Sequence, residues 1–516
     1  MNGAHSLVQT LLKAGVDTCF ANPGTSEMHF VAALDATPGL RCVLGLQENV
    51  VTGMADGYFR VAGRPACTLL HCGPGLANGW ANLHNARRAR SGIVNLVGDQ
   101  ATWHRPLDAP LTADTEGLAR AVSAWVRTST HAAEVARDGA AAVQAARSAN
   151  GQVATLVLPS DTCWDEGGRV AEVLPVPPAT VPDPHAVQAA ARVLRGGRRV
   201  LLLLSGAAVL APAQALAWQL AHATGADLMA EYGVPRVARG RGRLPLRRVP
   251  YPTDQAVQAL APYDDIILVN AREPVGFFGY PGKPSRHARA DAVLHVLSRP
   301  EQDALAALQA LVDELGAPKR PLPDTGPLPE PGRGAPTPEG LARTVAALMP
   351  DQGIVCDESV SFGRGFYPLT VAAAPHDWLH LVGGAIGDGM PLATGAALAG
   401  QAVPGGRRVI NLQADGSAMY TVQALWTQAR ECLPVTTILL NNGRYQILLG
   451  EYEGVGATPG PTALGMLDLG RPDIDWVRLA GGLGVEAATA HTLEACADLL
   501  AQSLRQPGPF LIDLRI

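Results

Sequence analysis

No CxxC pair occurs among the eight cysteines of this 516-residue chain, so neither a CxxC redox couple nor a zinc ribbon is written into it. Cys19, Cys42, Cys67, Cys72, Cys163, Cys356, Cys432 and Cys496 lie mostly in apolar runs and read as reduced, mainly structural thiols. The first residues, MNGAHSLVQTLLKAGVDTCF, lack a basic leader, an apolar core and a cleavage site. They suit a first amphipathic helix, and the expectation is a cytoplasmic chain. An excess of one charge is missing too: 41 basic and 46 acidic side chains leave a net charge of -5. Nothing there pulls on a polyanion from a distance, which argues against nucleic-acid binding. Val200 to Leu220 carries no formal charge, but Ser205-Gly206, Pro212 and Gln214 interrupt it. That stretch reads as a buried strand, a turn and an Ala-rich packed helix, with no membrane partner. Charged residues make up only 17 % against 47 % apolar, and 56 Gly with 41 Pro exclude coiled coil, collagen and wholesale disorder.

At about 150 residues per domain the length accommodates three domains. From residue 1 to about 165, the runs DTCFANPG, RCVLGL, ACTLLHCGPG, SGIVNLVGD and GQVATLVLP alternate with Ala/Leu-rich helical stretches. Uninterrupted apolar strands separated by helices predict an α/β unit with a parallel sheet covered on both faces. A second such pattern follows Pro184, with RRVLLLL, DLMAEYGVPR, DDIILVNAREP and ADAVLHVLS as strands or strand edges. Its SGAAVL turn lacks G-x-G-x-x-G and a placed acidic partner, so neither FAD nor NAD follows from it. Gly316 to Pro338 holds eight prolines and reads as a surface linker. A third unit then runs to Ile516 through GIVCDES, RRVINLQADG, VTTILLNNG and GPFLIDLRI.

Chemistry concentrates at Asp415-Gly416-Ser417 and Asn441-Asn442-Gly443, each directly after an apolar strand. Both turns can therefore reach one carboxyl edge, where open parallel sheets bind ligands. Asp415 offers a carboxylate oxygen, Asn442 an amide carbonyl and Arg444 a backbone carbonyl, a set that suits Mg2+ shared with a diphosphate.

The pair resembles the thiamin-diphosphate motif that begins GDG and ends NN. Ala414 replaces its first glycine, which removes no ligand, and the 27-residue interval from Asp415 to Asn442 matches. The resemblance covers nearly the whole chain and is to the acetolactate synthase, benzoylformate decarboxylase and pyruvate oxidase group. It implies a three-domain fold, each domain a largely parallel sheet flanked by helices. Pyrimidine binding would fall to residues 1–168, a central α/β domain to 183–315, a Pro-rich linker to 316–338, and diphosphate and Mg2+ binding to 339–516.

Site residues carry over by position. Glu48, in LGLQENVVTGMADGYFRVAGRP, stands where the family has its catalytic glutamate, which exchanges a proton with the aminopyrimidine ring. In GGAIGDGMP, the Gly384 carbonyl would accept from the 4'-amino group and Ile386 would hold the cofactor bent. Ser361, Gly416 and Ser417 are candidates for diphosphate contacts. His71 matches an active-site histidine of benzoylformate decarboxylase-like enzymes, Thr25 in NPGTSE their substrate-contacting serine. His104 is a second polar candidate on the same strand edge; His29 and Asn78 rank behind it. Ile447 and Leu448 would shape the substrate pocket.

One departure stands out: Gly279, in VGFFGYPGK, replaces the central-domain histidine of benzoylformate decarboxylase. An identical two-histidine scheme therefore does not carry over. With the overall resemblance, this favours acetolactate-synthase-like decarboxylation of a 2-oxo acid followed by capture by an aldehyde or second 2-oxo acid. The alternatives are a simple 2-oxo-acid decarboxylase and a catalytically silent cofactor-binding protein. The resemblance further implies thiamin diphosphate and Mg2+, without FAD, and active sites built between copies in a homodimer or tetramer.

Overall fold

Strands that are apolar along their whole length need cover on both faces. The computed structural model, which describes residues 1–516, builds three sheets on this rule, each flanked by helices. The first runs in the order Arg41–Leu44, Thr18–Asn22, Ala66–Leu70, Ile93–Asp99, Val153–Pro159, Trp125–Thr128, all parallel. Five of these strands are the expected runs; Trp125–Thr128 is an added edge.

The second sheet orders Arg247–Arg248, Asp227–Ala230, Val200–Leu204, Asp265–Val269 and Val293–Ser298, again all parallel. The uncharged stretch resolves into the buried strand Val200–Leu204, a turn and the helix Ala211–Thr224. No helix of the chain is long and apolar enough to cross a membrane.

In the third sheet the order is Glu486–Ala490, Phe510–Arg515, Val435–Asn441, Val409–Ala414, Gly353–Glu358, His376–His380, Arg236–Arg239. Its last strand is antiparallel and comes from the segment expected to form the central unit. Arg236 explains the crossover in part, since its guanidinium meets Asp377 of the neighbouring strand at 2.9 Å. The prolines before Pro338 support no regular element, and Pro338 itself occupies the first turn of the helix Pro338–Leu348. A proline costs little there, because that N–H has no helical partner.

One helix crossing ties the first and third sheets into a shared core. The helix Glu48–Ala62 meets the helix Gly389–Gln401 at Gly57 and Gly395, and a Cβ at either would collide with the other helix's backbone. Arg60 and Asp56 pair inside this contact at 2.5 Å, and Arg60 also donates to the His380 carbonyl at 2.6 Å. Burial, with Asp56 nearby, pushes the Asp388 carboxyl well up.

Candidate active site

The predicted site residues gather mainly at two sheet edges. On the first, Glu48 opens its helix directly after Gln47, whose Oε1 accepts from the N–H groups of Asn49 at 2.6 Å and Val50 at 3.1 Å. This cap fixes the helix start and hence the direction in which Glu48 leaves it. Asn78 Nδ2 donates to Glu48 Oε2 at 3.1 Å, while Oε1 takes no hydrogen bond within the chain. His71 follows the strand Ala66–Leu70, and its Nδ1 lies 2.9 Å from Glu27 Oε2 and 3.2 Å from Ser26 Oγ. Ser26 Oγ donates to Glu27 Oε1 at 2.5 Å and lies 3.2 Å from Cys72 Sγ. Burial pushes the Cys72 thiol up to about 11, so it stays protonated at neutral pH.

Other predicted residues on this edge lie apart from that network. Thr25 is exposed, and its hydroxyl makes no hydrogen bond to His71, which meets Ser26 instead. His104 stacks edge-on against Trp103 at 5.5 Å, and His29 packs on Trp164 at 5.6 Å. Neither bonds to the Glu27–His71 pair.

On the third sheet, Asp415 directly follows the strand Val409–Ala414 with 4 % of its surface exposed and accepts from the N–H groups of Gly416 at 2.9 Å and Gly443 at 2.8 Å. Burial raises its carboxyl, and these backbone bonds pull it back. Ser417 receives Gln413 Nε2 at 2.7 Å. The two asparagines part company: Asn441 turns to Asp513 at 2.9 Å, while Asn442 stays in the turn, its Oδ1 accepting from the Arg444 N–H at 3.0 Å. The Arg444 carbonyl accepts from the Gln446 N–H at 3.0 Å.

Between the edges runs the loop from Gly383 to Asp388. Gly384 at φ 84° and Gly387 at φ 95° sit in the left-handed region, which only glycine enters freely. The helix Trp80–Ala89 holds the loop: Asn85 bonds both the N–H and the carbonyl of Ala385, and Asn82 reaches the Gly387 carbonyl at 3.1 Å. Ile386 is half-buried, and the Phe277 ring lies against Gly384. A cavity of about 330 Å³ adjoins this region, lined in part by Ser361, Ile447, Phe277, Tyr251 and Arg364. Leu448, 42 % exposed, does not line it.

Residues 1–119 match the family described as thiamine pyrophosphate enzyme, N-terminal TPP binding domain, and residues 365–514 match its C-terminal TPP binding domain. A Mycobacterium tuberculosis protein named "Putative acetolactate synthase large subunit IlvX" is 48 % identical over 517 residues, covering 100 % of this chain and 99 % of that one. The chain belongs to the thiamine pyrophosphate enzyme family.

Within this family, benzoylformate decarboxylase of Pseudomonas aeruginosa is 29 % identical, with 100 % of this chain and 99 % of that one covered. The solved thiamine diphosphate-dependent 4-hydroxybenzoylformate decarboxylase of Rhodococcus jostii RHA1 superimposes with a TM-score of 0.85 at 26 % identity, covering 100 % of this chain and 99 % of that one. Membership makes thiamin diphosphate the cofactor of the two matched domains. The donors in the Asp415 turn are all hard oxygens, and they fit a magnesium ion better than a soft metal.

Reading the sequence missed Ser26 and Glu27, although both lie inside the quoted NPGTSE turn. A serine and a carboxylate next to a threonine give no local sign of which one meets His71, 44 residues beyond Glu27. It also missed Phe277, whose place on Gly384 depends on how the central loop folds back.

Proposed function

We propose that this chain uses thiamin diphosphate and Mg2+ to decarboxylate a 2-oxo acid and joins the acyl unit to a second carbonyl, as acetolactate synthases do. The observation that carries this reading is the pairing of a helix-capped Glu48, its Oε1 free, with a buried Asp415–Asn442 turn at a second sheet edge. When bound, the cofactor supplies the carbon nucleophile and accepts the electrons left by departing CO2. Glu48 Oε1 holds the proton exchanged with the aminopyrimidine ring, while Asn78 fixes the carboxylate through Oε2. Asp415, Asn442 and the Arg444 carbonyl would hold the metal. Gly416, Ser417 and Ser361 would meet the diphosphate, and Gly384 and Ile386 the middle of the cofactor. His71 has Nδ1 committed to Glu27 and Ser26, so Nε2 is the atom left to present a proton to substrate.

No hydrogen bond or ion pair joins Glu48 to the Asp415 turn inside one chain. Both edges are rimmed by exposed apolar side chains: Leu46, Trp103 and Leu107 near the first, Met419, Tyr420 and Met466 near the third. These features support active sites completed between two copies, in a dimer or a pair of dimers.

Simple decarboxylation is the second reading, and the Glu27–His71–Ser26 network favours it, because a poised proton donor releases an aldehyde. Mass-resolved product analysis decides between them, with thiamin diphosphate, Mg2+ and a panel of 2-oxo acids, with and without aldehyde acceptors, beside Glu48→Gln. Glu48-dependent acyloin or acetolactate supports carboligation, and aldehyde alone supports decarboxylation. Cofactor binding without turnover of any 2-oxo acid overturns both in favour of a silent protein.

A further inference from the structure

Glu358 ends the strand Gly353–Glu358 with 2 % of its surface exposed, and no arginine, lysine or histidine pairs with it. Its partners are all N–H donors. Oε1 accepts from the backbone of Gly387 at 2.7 Å and of Asp388 at 3.4 Å; Oε2 accepts from Gly389 at 2.7 Å and from Gln413 Nε2 at 2.9 Å. Gln413, fully buried, also donates to Ser417 Oγ at 2.7 Å, and Ser417 donates onward to the Ala414 carbonyl at 3.0 Å. One chain of hydrogen bonds thus runs from the Gly383–Asp388 loop to the Asp415–Ser417 turn.

An uncompensated buried carboxylate is costly, and an apolar side chain would fill the space more cheaply. Burial raises the Glu358 carboxyl and these bonds pull it back; what a carboxyl group supplies here is acceptor capacity for four converging donors. The left-handed residues of the loop keep it out of any regular ladder, so its N–H groups need that acceptor.

We infer that Glu358 is a positioning residue that clamps the Gly383–Asp388 loop and, through Gln413, sets it in register with Ser417, so that the two contact regions for the cofactor are placed together. This rests on the proposed reading that loop and turn hold two parts of thiamin diphosphate. It makes Glu358 and Gln413 determinants of cofactor affinity without contact to substrate.

The test is calorimetric titration of the full-length apoprotein with thiamin diphosphate and Mg2+, alongside thermal melting, for Glu358→Gln, Gln413→Met, their double variant and Asp415→Ala. Replacing the carboxylate by an amide turns an N–H2 group toward donors, so E358Q should bind the cofactor about 10-fold more weakly. Gln413→Met should do the same, and the double variant should lose no more than either alone, because both cut one chain. Unchanged binding by E358Q, or losses that multiply in the double variant, would overturn the inference. Asp415→Ala separates the two levels: if it binds as well as wild type, the reading of the cofactor site itself has failed. Should E358Q not fold, Gln413→Met cuts the relay and leaves the clamp in place. An approximately 10-fold loss there supports the relay, and wild-type affinity overturns it.

Discussion

At the carboxyl edge of the first sheet, Glu48 and His71 are held by one or two hydrogen bonds each and remain partly open to solvent, whereas the third sheet buries Asp415 and Ser417 to 4 % and 3 % exposure. Both edges arise in the same way, from parallel strands that run into tight turns. On the proposed reading they differ in what the turn must do. A group that gives up and regains a proton needs an oxygen or nitrogen left free, and Glu48 Oε1 and His71 Nε2 are left free. A group that holds an ion or a diphosphate needs its geometry fixed beforehand, and Asp415 is pinned by two backbone N–H groups.

The largest expected effect breaks this comparison from the open side. Glu48→Gln keeps the side chain's shape but cannot exchange the proton, so turnover should fall by about 10³-fold while calorimetry finds nearly wild-type affinity for thiamin diphosphate. Asp415→Ala should give the opposite pattern, with affinity for the cofactor and Mg2+ falling by about 100-fold or more while the apoprotein still melts cooperatively. If Glu48→Gln lost affinity and Asp415→Ala kept it, the division between proton-moving and holding edges would be wrong.

What could be read from the residues follows the same division. The Asp415 to Asn442 interval was legible because each end follows an apolar run, and a turn after a buried parallel strand has few places to go. His376–His380 was not legible: HDWLH carries three polar residues, yet every one of its residues is buried. Asp377 and His380 are met by partners distant in the chain, Asp377 by Arg236 at 2.9 Å and by Arg407 at 2.7 Å, His380 by Arg248 at 2.7 Å. The same ion pair draws Arg236–Arg239 out of the central segment, which no periodicity announces. Glu358 was hidden for a related reason, since an acid at the end of a strand looks solvated until the loop that covers it is seen.

The third sheet's rigidity depends on that hidden strand, and pH tests it. Burial lowers His376 to about 4, with its Nδ1 2.7 Å from the Ala374 carbonyl. The unfolded chain titrates near the ordinary value of about 6.5, so it binds a proton that the folded chain refuses. Stability from this group is therefore complete above about pH 6.5 and is lost as pH falls toward about 4. The loss should reach about 3 kcal/mol, and His376→Gln should flatten the melting temperature between pH 7 and pH 4 by the corresponding amount. An unchanged slope would mean that His376 is solvated.

The smallest effect sharpens the comparison at the cavity between the central segment and the third sheet's edge. Ile447 lines that cavity beside Ser361, whereas its neighbour Leu448 points elsewhere and is 42 % exposed. Ile447→Val removes one methylene from a wall that is half-buried. A pocket discriminates by about 1 kcal/mol or somewhat more per methylene, so the ratio of kcat/KM for a longer over a shorter 2-oxo acid should rise by about 10-fold. Leu448→Val, which alters the same volume one residue on, should leave the ratio unchanged. Equal shifts from both would place the substrate wall on the outer face of the helix Gln446–Gly454, where a second copy would have to close it. A shift from Ile447 alone keeps the selective surface within one chain and leaves only the proton-moving edge to be supplied by another.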